Sequence, residues 1–389
     1  MRNNMSHRER LPNHSGLEIP ALSGLKDYLT SRVIGQPRAI ESCIRSFNLA
    51  LANLLPDWRP MSINFRAGPT GVGKTETSIA LADFLWEGEK QAGIEYPRPP
   101  IVKVDCGLFE GGFAATELIG VPAGYVGSRA HEKGATEPLL IEKNFPPNRL
   151  MVLLFDEIEK AFGDEFSSYR QGSVVLGILL AMLDKGEITN RWDVGKPVSF
   201  RNTIIDFTSN IGARDIVDAA KKQPMGFNIR GAVGQIIGRS DVAEDRGIYL
   251  SEDEVETLNK GIYRLTKDSF VRTFSPEFRN RMDPLEVYRF FSRPDFSKLL
   301  EIEMVKLNKQ LEGHKLRVDI SQNAKDWILN HGVVREDGAR SIQRSLLRKI
   351  VHPLAAYINA GLVKSGDLLD LDVKEPKDKE SVLEVFVIR

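Results

Sequence analysis

The chain has 389 residues, enough for one large or two modest domains, and the composition of an ordinary globular protein. Basic and acidic side chains balance at 53 each, which removes the overall positive footprint expected of a nucleic-acid binder, and neither a spanning apolar run nor an apolar leader is present. The two cysteines, Cys43 and Cys106, lack metal-type spacing and fit small buried residues in a reduced, cytoplasmic setting.

Residues 1–20 are polar and are expected to form a disordered arm. Leu22 to Ser31 reads as a short helix. Val33-Ile34-Gly35-Gln36-Pro37 follows, then a helical pattern through Ile40, Ile44, Phe47 and Leu51. Val33 and Ile34 read equally as plain core or as a wall for an adenine ring.

Ser62 to Ala67 reads as a strand, and Gly68-Pro69-Thr70-Gly71-Val72-Gly73-Lys74-Thr75 then fits G-x-x-x-x-G-K-[ST]. Its glycines let backbone N–H groups converge on phosphate oxygens. Lys74 can reach the β- and γ-phosphates of ATP, and the Thr75 hydroxyl can ligate Mg²⁺. Thr75 to Trp86 reads as the helix that adds its N-terminal dipole, with Ile79, Ala82 and Leu85 on one face. Glu87 to Pro100 reads as a connection.

Ile101 to Val104 is a strand ending in Asp105. Gly124-Tyr125-Val126-Gly127 sets an aromatic between glycines, either a turn with a half-buried ring or an exposed grip. Leu150 to Phe155 is an unbroken apolar run, as for a strand buried on both faces of a parallel sheet. It ends in Asp156-Glu157. At that edge of a sheet Asp156 is placed to hold Mg²⁺ and Glu157 to deprotonate water. Thr203 to Phe207 is a further strand, leading to Asn210, which can meet the γ-phosphate or the attacking water.

Ala213 to Phe274 is polar and Gly-rich with helical patches, and contains Met225-Gly226-Phe227 amid polar neighbours. A strand is expected near Leu285 to Phe290. From Pro294 the pattern turns helical, over Asp295–Leu311, Ser321–Asn330 and Gly338–Ala360. Strands at Leu368–Val373 and Val382–Ile388 close the chain. The expected fold is α/β: a P-loop domain with a parallel sheet over residues 21–292, then a smaller helical domain over 293–389 carrying a C-terminal β-hairpin.

With these residues in place the chain resembles the Clp-type AAA+ unfoldases, specifically the second ATPase module of ClpB-, ClpA- and ClpC-like proteins, from about residue 22 to 388. Val33 to Gln36 resembles the adenine-side motif, Gly68 to Thr75 Walker A, and Leu153 to Glu157 Walker B. Gly124 to Gly127 is similar to the axial pore loop, with Tyr125 and Val126 as the substrate contacts. Asn210 falls at sensor 1, Pro276 to Arg281 resembles the arginine-finger segment with Arg281 as the finger, and Gly338-Ala339-Arg340 resembles sensor 2 with Arg340 beside the nucleotide. The resemblance implies an ATP- and Mg²⁺-dependent hexamer threading polypeptide, and it implies a ClpP-like peptidase or an adaptor as a partner through Met225, Gly226 and Phe227 if that tripeptide does not tuck back onto its own domain.

The N-terminal domain and first ATPase module of two-ring members have no counterpart in this sequence. Substrate selection is therefore expected from the arm, the pore or another protein. Gly163 to Val175 falls where some relatives place a second pore loop. A nucleic-acid motor and a non-catalytic scaffold are the competing classes. Charge balance and the Tyr125 loop speak against the first, and the complete hydrolytic set against the second.

Overall fold

The computed structural model describes residues 24–52, 56, 58–109, 114–121, 137–162, 169–192, 197–212, 252–334, 337–374 and 382–388. The expected arm, Tyr125 and Val126, Met225 to Phe227, part of 163–175 and most of 215–270 lie outside these residues.

A parallel five-stranded sheet in the order β2-β3-β6-β1-β7 organises the first part of the chain. Its strands are β1 (Ser62–Ala67), β2 (Ile101–Asp105), β3 (Met151–Asp156), β6 (Thr203–Ser209) and β7 (Glu286–Val287). The central strands β1 and β6 are buried at every position, although each carries polar side chains among its apolar ones. Strand β2, at one edge, alternates and leaves Lys103 and Asp105 exposed. Strand β7 is only two residues long, shorter than the stretch 285–290 expected from sequence, because it pairs with β1 only at Arg66 and Ala67.

Helices α1 (Leu25–Arg32), α2 (Pro37–Leu51) and α3 (Lys74–Gln91) cover one face, with Leu29, Phe47, Leu81 and Leu85 meeting Val152 and Ile204. Helix α3 runs past Trp86 into the expected connection. Gly88 does not stop it, and buried Glu89 anchors its last turn through Arg149. The helix α4 (Ala114–Ile119), α5 (Tyr169–Lys185) and α6 (Glu252–Thr273) pack on the other face, joined by the short hairpin β4 (Glu187–Thr189) and β5 (Pro197–Ser199). The α6 region was expected as polar with helical patches. It forms one helix whose apolar stripe includes Ile262, Leu265 and Phe270. Phe270, Phe274 and Phe278 interlock with Phe65 and Phe207, each ring contributing about 1.5–3 kcal/mol through burial.

Beyond the one-turn helix α7 (Pro276–Arg279), the C-terminal part contains α8 (Arg293–Leu311), α9 (Gln322–His331), α10 (Ala339–Leu346) and α11 (His352–Asn359). The single helix expected over 338–360 is split by a π turn at Leu347–Val351. Pro353, in the first turn of α11, lacks the N–H that an uninterrupted α ladder needs. The expected hairpin, β9 (Leu368–Lys374) with β10 (Val382–Ile388), gains a third strand, β8 (Arg317–Ile320), parallel to β9. The apolar cluster of this part extends past residue 293 to take in Phe291, Tyr288 and Val72. Among the described residues no helix is long and apolar enough to cross a membrane.

Candidate functional site

The loop Gly68–Gly73 leaves the C-terminal end of β1 and enters α3 at Lys74. Gly68 holds φ +144°, and a Cβ there would sit 2.8 Å from the Tyr288 carbonyl oxygen. Lys74, 8% exposed, folds back into the loop. Its Nζ donates to the carbonyls of Gly68 (2.9 Å) and Pro69 (2.6 Å) and to Asn210 Oδ1 (3.0 Å). Burial pulls its pKa down to about 8, against the nearby carboxylates Glu159 and Asp156, and the Arg340 charge pushes it the same way as burial.

The paired register of β2 and β3 sets Asp105 beside Asp156 at the same sheet edge. Asp156 Oδ1 accepts from the hydroxyls of Thr75 (2.9 Å) and Thr208, and Oδ2 pairs with Lys103 Nζ at 2.9 Å. Burial raises the Asp156 pKa, but the bonds from Thr208, Lys103 and Thr75 outweigh it and hold the carboxyl below its ordinary range. A carboxylate and a hydroxyl sharing one contact are hard oxygen donors, the set that suits Mg²⁺.

Glu157 is one of two non-glycine residues with positive φ among those described, at +56°. Such a conformation costs about 1–3 kcal/mol and persists where its surroundings enforce it. Here the Glu157 N–H donates to Thr208 Oγ1 (3.1 Å), Asn210 Nδ2 donates to Glu157 Oε1 (3.2 Å), and Lys160 pairs with the other carboxylate oxygen. Asn210 is itself fixed by its N–H on Glu159 Oε1 at 2.9 Å.

Arg281 stands apart from this cluster. Its partners are Asp184 and Glu277. Arg340 lies exposed in the first turn of α10, whose entry reaches the phosphate loop: Ala339 N–H donates to the Gly71 carbonyl at 3.0 Å. The approach is so close that a Cβ on Gly338 (φ +54°) would sit 2.5 Å from that same carbonyl oxygen. Val33 and Ile34 are buried, and a Cβ on Gly73 would meet the Val33 side chain at 3.8 Å.

Several roles at the site were not read from sequence, where Gln36 figured only as the end of the adenine-side motif. Gln36 bridges the loop and the start of the C-terminal part, donating to the carbonyls of Val72 (3.3 Å) and Arg289 (2.9 Å) and accepting from Arg289 N–H (3.1 Å). Lys103, Thr208 and Lys160 hold the two acids. Beneath the loop lies a charged network without solvent: Arg66 pairs with Asp206 and, at 3.1 Å, with Glu286, and donates to Ser78 Oγ at 2.8 Å. Ser78 and Asn64 both donate to Asp206, at 2.6 and 2.8 Å. Tyr288 and Thr77 hydroxyls meet at 2.7 Å alongside. The signal was present: Arg66, Asp206 and Glu286 interrupt strands that otherwise read as buried on both faces.

Residues 59–285 match the AAA domain (Cdc48 subfamily) family, and residues 291–371 match the C-terminal, D2-small domain of ClpB protein. The chaperone protein ClpB of Brucella suis biovar 1 (strain 1330) is 30% identical over 354 residues, covering 91% of this chain and 33% of that protein. The ATP-dependent Clp protease ATP-binding subunit ClpC of Staphylococcus aureus (strain USA300) is 33% identical over 355 residues, covering 91% of this chain and 37% of that protein. Among solved structures, a closed-state reconstruction of Hsp104 with ATPγS and FITC casein superposes with a TM-score of 0.65 at 25% identity, over 94% of this chain and 51% of that one. The chain thus spans about a third of the length of these curated relatives.

Proposed function

The chain belongs to the Clp-type AAA+ family, and from that premise we propose that it hydrolyses ATP as a subunit of a ring that remodels polypeptides. The observation that carries this reading is the convergence of Lys74, Thr75, Asp156, Glu157 and Asn210 at the C-terminal edge of one parallel sheet.

Lys74 exchanges its loop carbonyls for the β- and γ-phosphates. Thr75 and Asp156 would hold Mg²⁺, which would supply charge to neutralise the phosphate oxygens. Glu157 Oε1 accepts the proton of the attacking water, and Asn210, already bonded to that oxygen, orients both. Val33 and Ile34 offer an apolar wall to the base, and Arg340 adds charge at the phosphates from the C-terminal part. Arg281 meets the γ-phosphate of a neighbouring copy, which is why the reading requires a ring, here a hexamer.

For the polypeptide, Tyr125 and Val126 supply large apolar contact area that tolerates many sequences. The Hsp104 structure that this chain resembles holds ATPγS and casein, which supports a protein substrate. Delivery to a ClpP-like peptidase through Met225, Gly226 and Phe227 rests on the ClpC likeness. Sedimentation of the ATP-loaded ring with ClpP tests it separately. A cytoplasmic location completes the reading.

The test is a pair of variants. Glu157→Gln keeps ATP binding and loses turnover, whereas Lys74→Ala weakens binding. Mixing Arg281→Ala with Lys74→Ala subunits restores part of the activity, because some interfaces then carry both groups. Turnover near wild type in Glu157→Gln, or no restored activity among exchanging subunits, overturns the proposal.

A further inference from the structure

Asp184 closes the last turn of α5, where an acid opposes the helix dipole unless a cation answers it. Arg281 is that cation. Its Nε and Nη2 grip the two Asp184 carboxylate oxygens side-on, the second at 2.7 Å, and its Nη1 donates to the Glu277 carbonyl. Two sides of the guanidinium plane are thereby taken. Among the described residues, the remaining edge, with one N–H from each terminal nitrogen, meets a long 3.5 Å approach of the exposed Glu277 carboxylate.

Both partners stand on stiff ground. Helix α5 is rooted by Leu179, Met182 and Leu183, all buried. Arg281 follows α7, which is capped by Ser275 Oγ on the Phe278 N–H and rooted by fully buried Phe278. Two residues further on, Asp283 is tied to β1 through the Ile63 N–H and carbonyl, each at 2.8 Å. A five-donor fork held on two sides by a rooted carboxylate and carbonyl has lost most of its rotamer freedom before any ligand arrives.

We propose that Asp184 is a positioning residue for Arg281: it fixes the guanidinium so that its free fork faces outward for the terminal phosphate of ATP bound by a second copy of this chain. The proposal rests on the ring reading of Arg281. It adds that the finger is set within its own subunit, by an acid almost a hundred positions away in sequence. The two-donor edge matches the spacing of two phosphate oxygens, a weaker point contact being what an unheld side chain would offer.

Asp184 is half exposed, so its replacement leaves the core untouched. The experiment measures steady-state ATP turnover and nucleotide affinity for Asp184→Asn, Asp184→Glu, Arg281→Ala and the double variant Asp184→Asn/Arg281→Ala, with the assembled protein. Asp184→Asn is expected to lower kcat about tenfold with KM and nucleotide affinity unchanged, and Asp184→Glu to recover most of that loss. Arg281→Ala is expected to lower kcat about a thousandfold, and the double variant no further, because a positioning residue has nothing left to position. A kcat within about twofold of wild type in Asp184→Asn, or losses that multiply in the double variant, overturns the role of Asp184 while leaving the finger standing. Unchanged turnover in Arg281→Ala overturns the ring reading itself.

Discussion

Replacing Arg66 by Met separates the electrostatics under the phosphate loop from its packing. In the native chain Arg66 and Asp206 have no exposed side-chain surface, and Glu286 almost none. Burial pulls the Arg66 pKa down, but Asp206 and Glu286 reverse that and hold the guanidinium charged. Methionine fills much of the same space and removes the charge and three strong hydrogen bonds, leaving two buried carboxylates without their counter-charge. Removing one partner of a buried pair costs about 3–5 kcal/mol. At roughly 2–4 °C per kcal/mol for a domain of this size, the melting temperature should fall by about 6–20 °C. The triple variant Arg66→Met/Asp206→Leu/Glu286→Met removes all three charges together. It should return to within a few kcal/mol of the native fold, or exceed it, since buried ion networks are often no more stable than apolar replacements. Calorimetry of both variants, without nucleotide, checks this. A melting temperature for Arg66→Met within about 2 °C of wild type, or a triple variant no better than the single one, would show that the network is not an interdependent charged unit.

The Lys74 pKa of about 8 sets a pH dependence for nucleotide binding. In the empty site its proton is lost above that pH, whereas bound phosphates require the ammonium form. ATP affinity should therefore fall by up to about tenfold per pH unit above 8, with one proton taken up per ATP bound, and Lys74→Ala should show no such slope in calorimetric titration. The sign for folding is opposite. Between pH 8 and the ordinary lysine value of 10.5, the unfolded chain holds the proton and the empty folded chain does not, so this residue's contribution makes the fold more stable as pH rises. Gly338→Ala would place a Cβ 2.5 Å from the Gly71 oxygen at positive φ, so it should weaken ATP binding by about tenfold or more, measured by fluorescent nucleotide. Tyr125→Ala should leave basal ATP turnover intact while abolishing the unfolding of a tagged substrate, followed by loss of that substrate's fluorescence.

The frame of the ATP site was legible because its signals are local. Gly68 to Thr75 carries its own geometry, and Leu150 to Phe155 announces a doubly buried strand that delivers Asp156 and Glu157 to the sheet edge. What was not legible depends on pairs far apart in sequence. Arg66 finds Asp206 and Glu286 only once β1 lies between β6 and β7. Asp184 looks like any helix-end acid until Arg281 is placed beside it. Helix α6 was read as broken because its many polar side chains outweigh a stripe that only the aromatic cluster explains. Strand β8 is four residues long and pairs in parallel with β9, a connection that no turn signal marks.

The backbone clasp between Gly71 and Ala339 also orders events during synthesis. The phosphate loop leaves the ribosome before its partner, because the capping N–H of Ala339 lies about 270 positions after Gly71. At ordinary elongation rates of about 5–20 residues per second, many seconds separate the two. A nascent chain stopped before residue 338 carries the loop with the Gly71 carbonyl open to water. Tight ATP binding is then expected only once the segment around Ala339 has emerged and docked on the loop. Arrested chains of increasing length should gain nucleotide affinity in one late step, after the sheet has already formed.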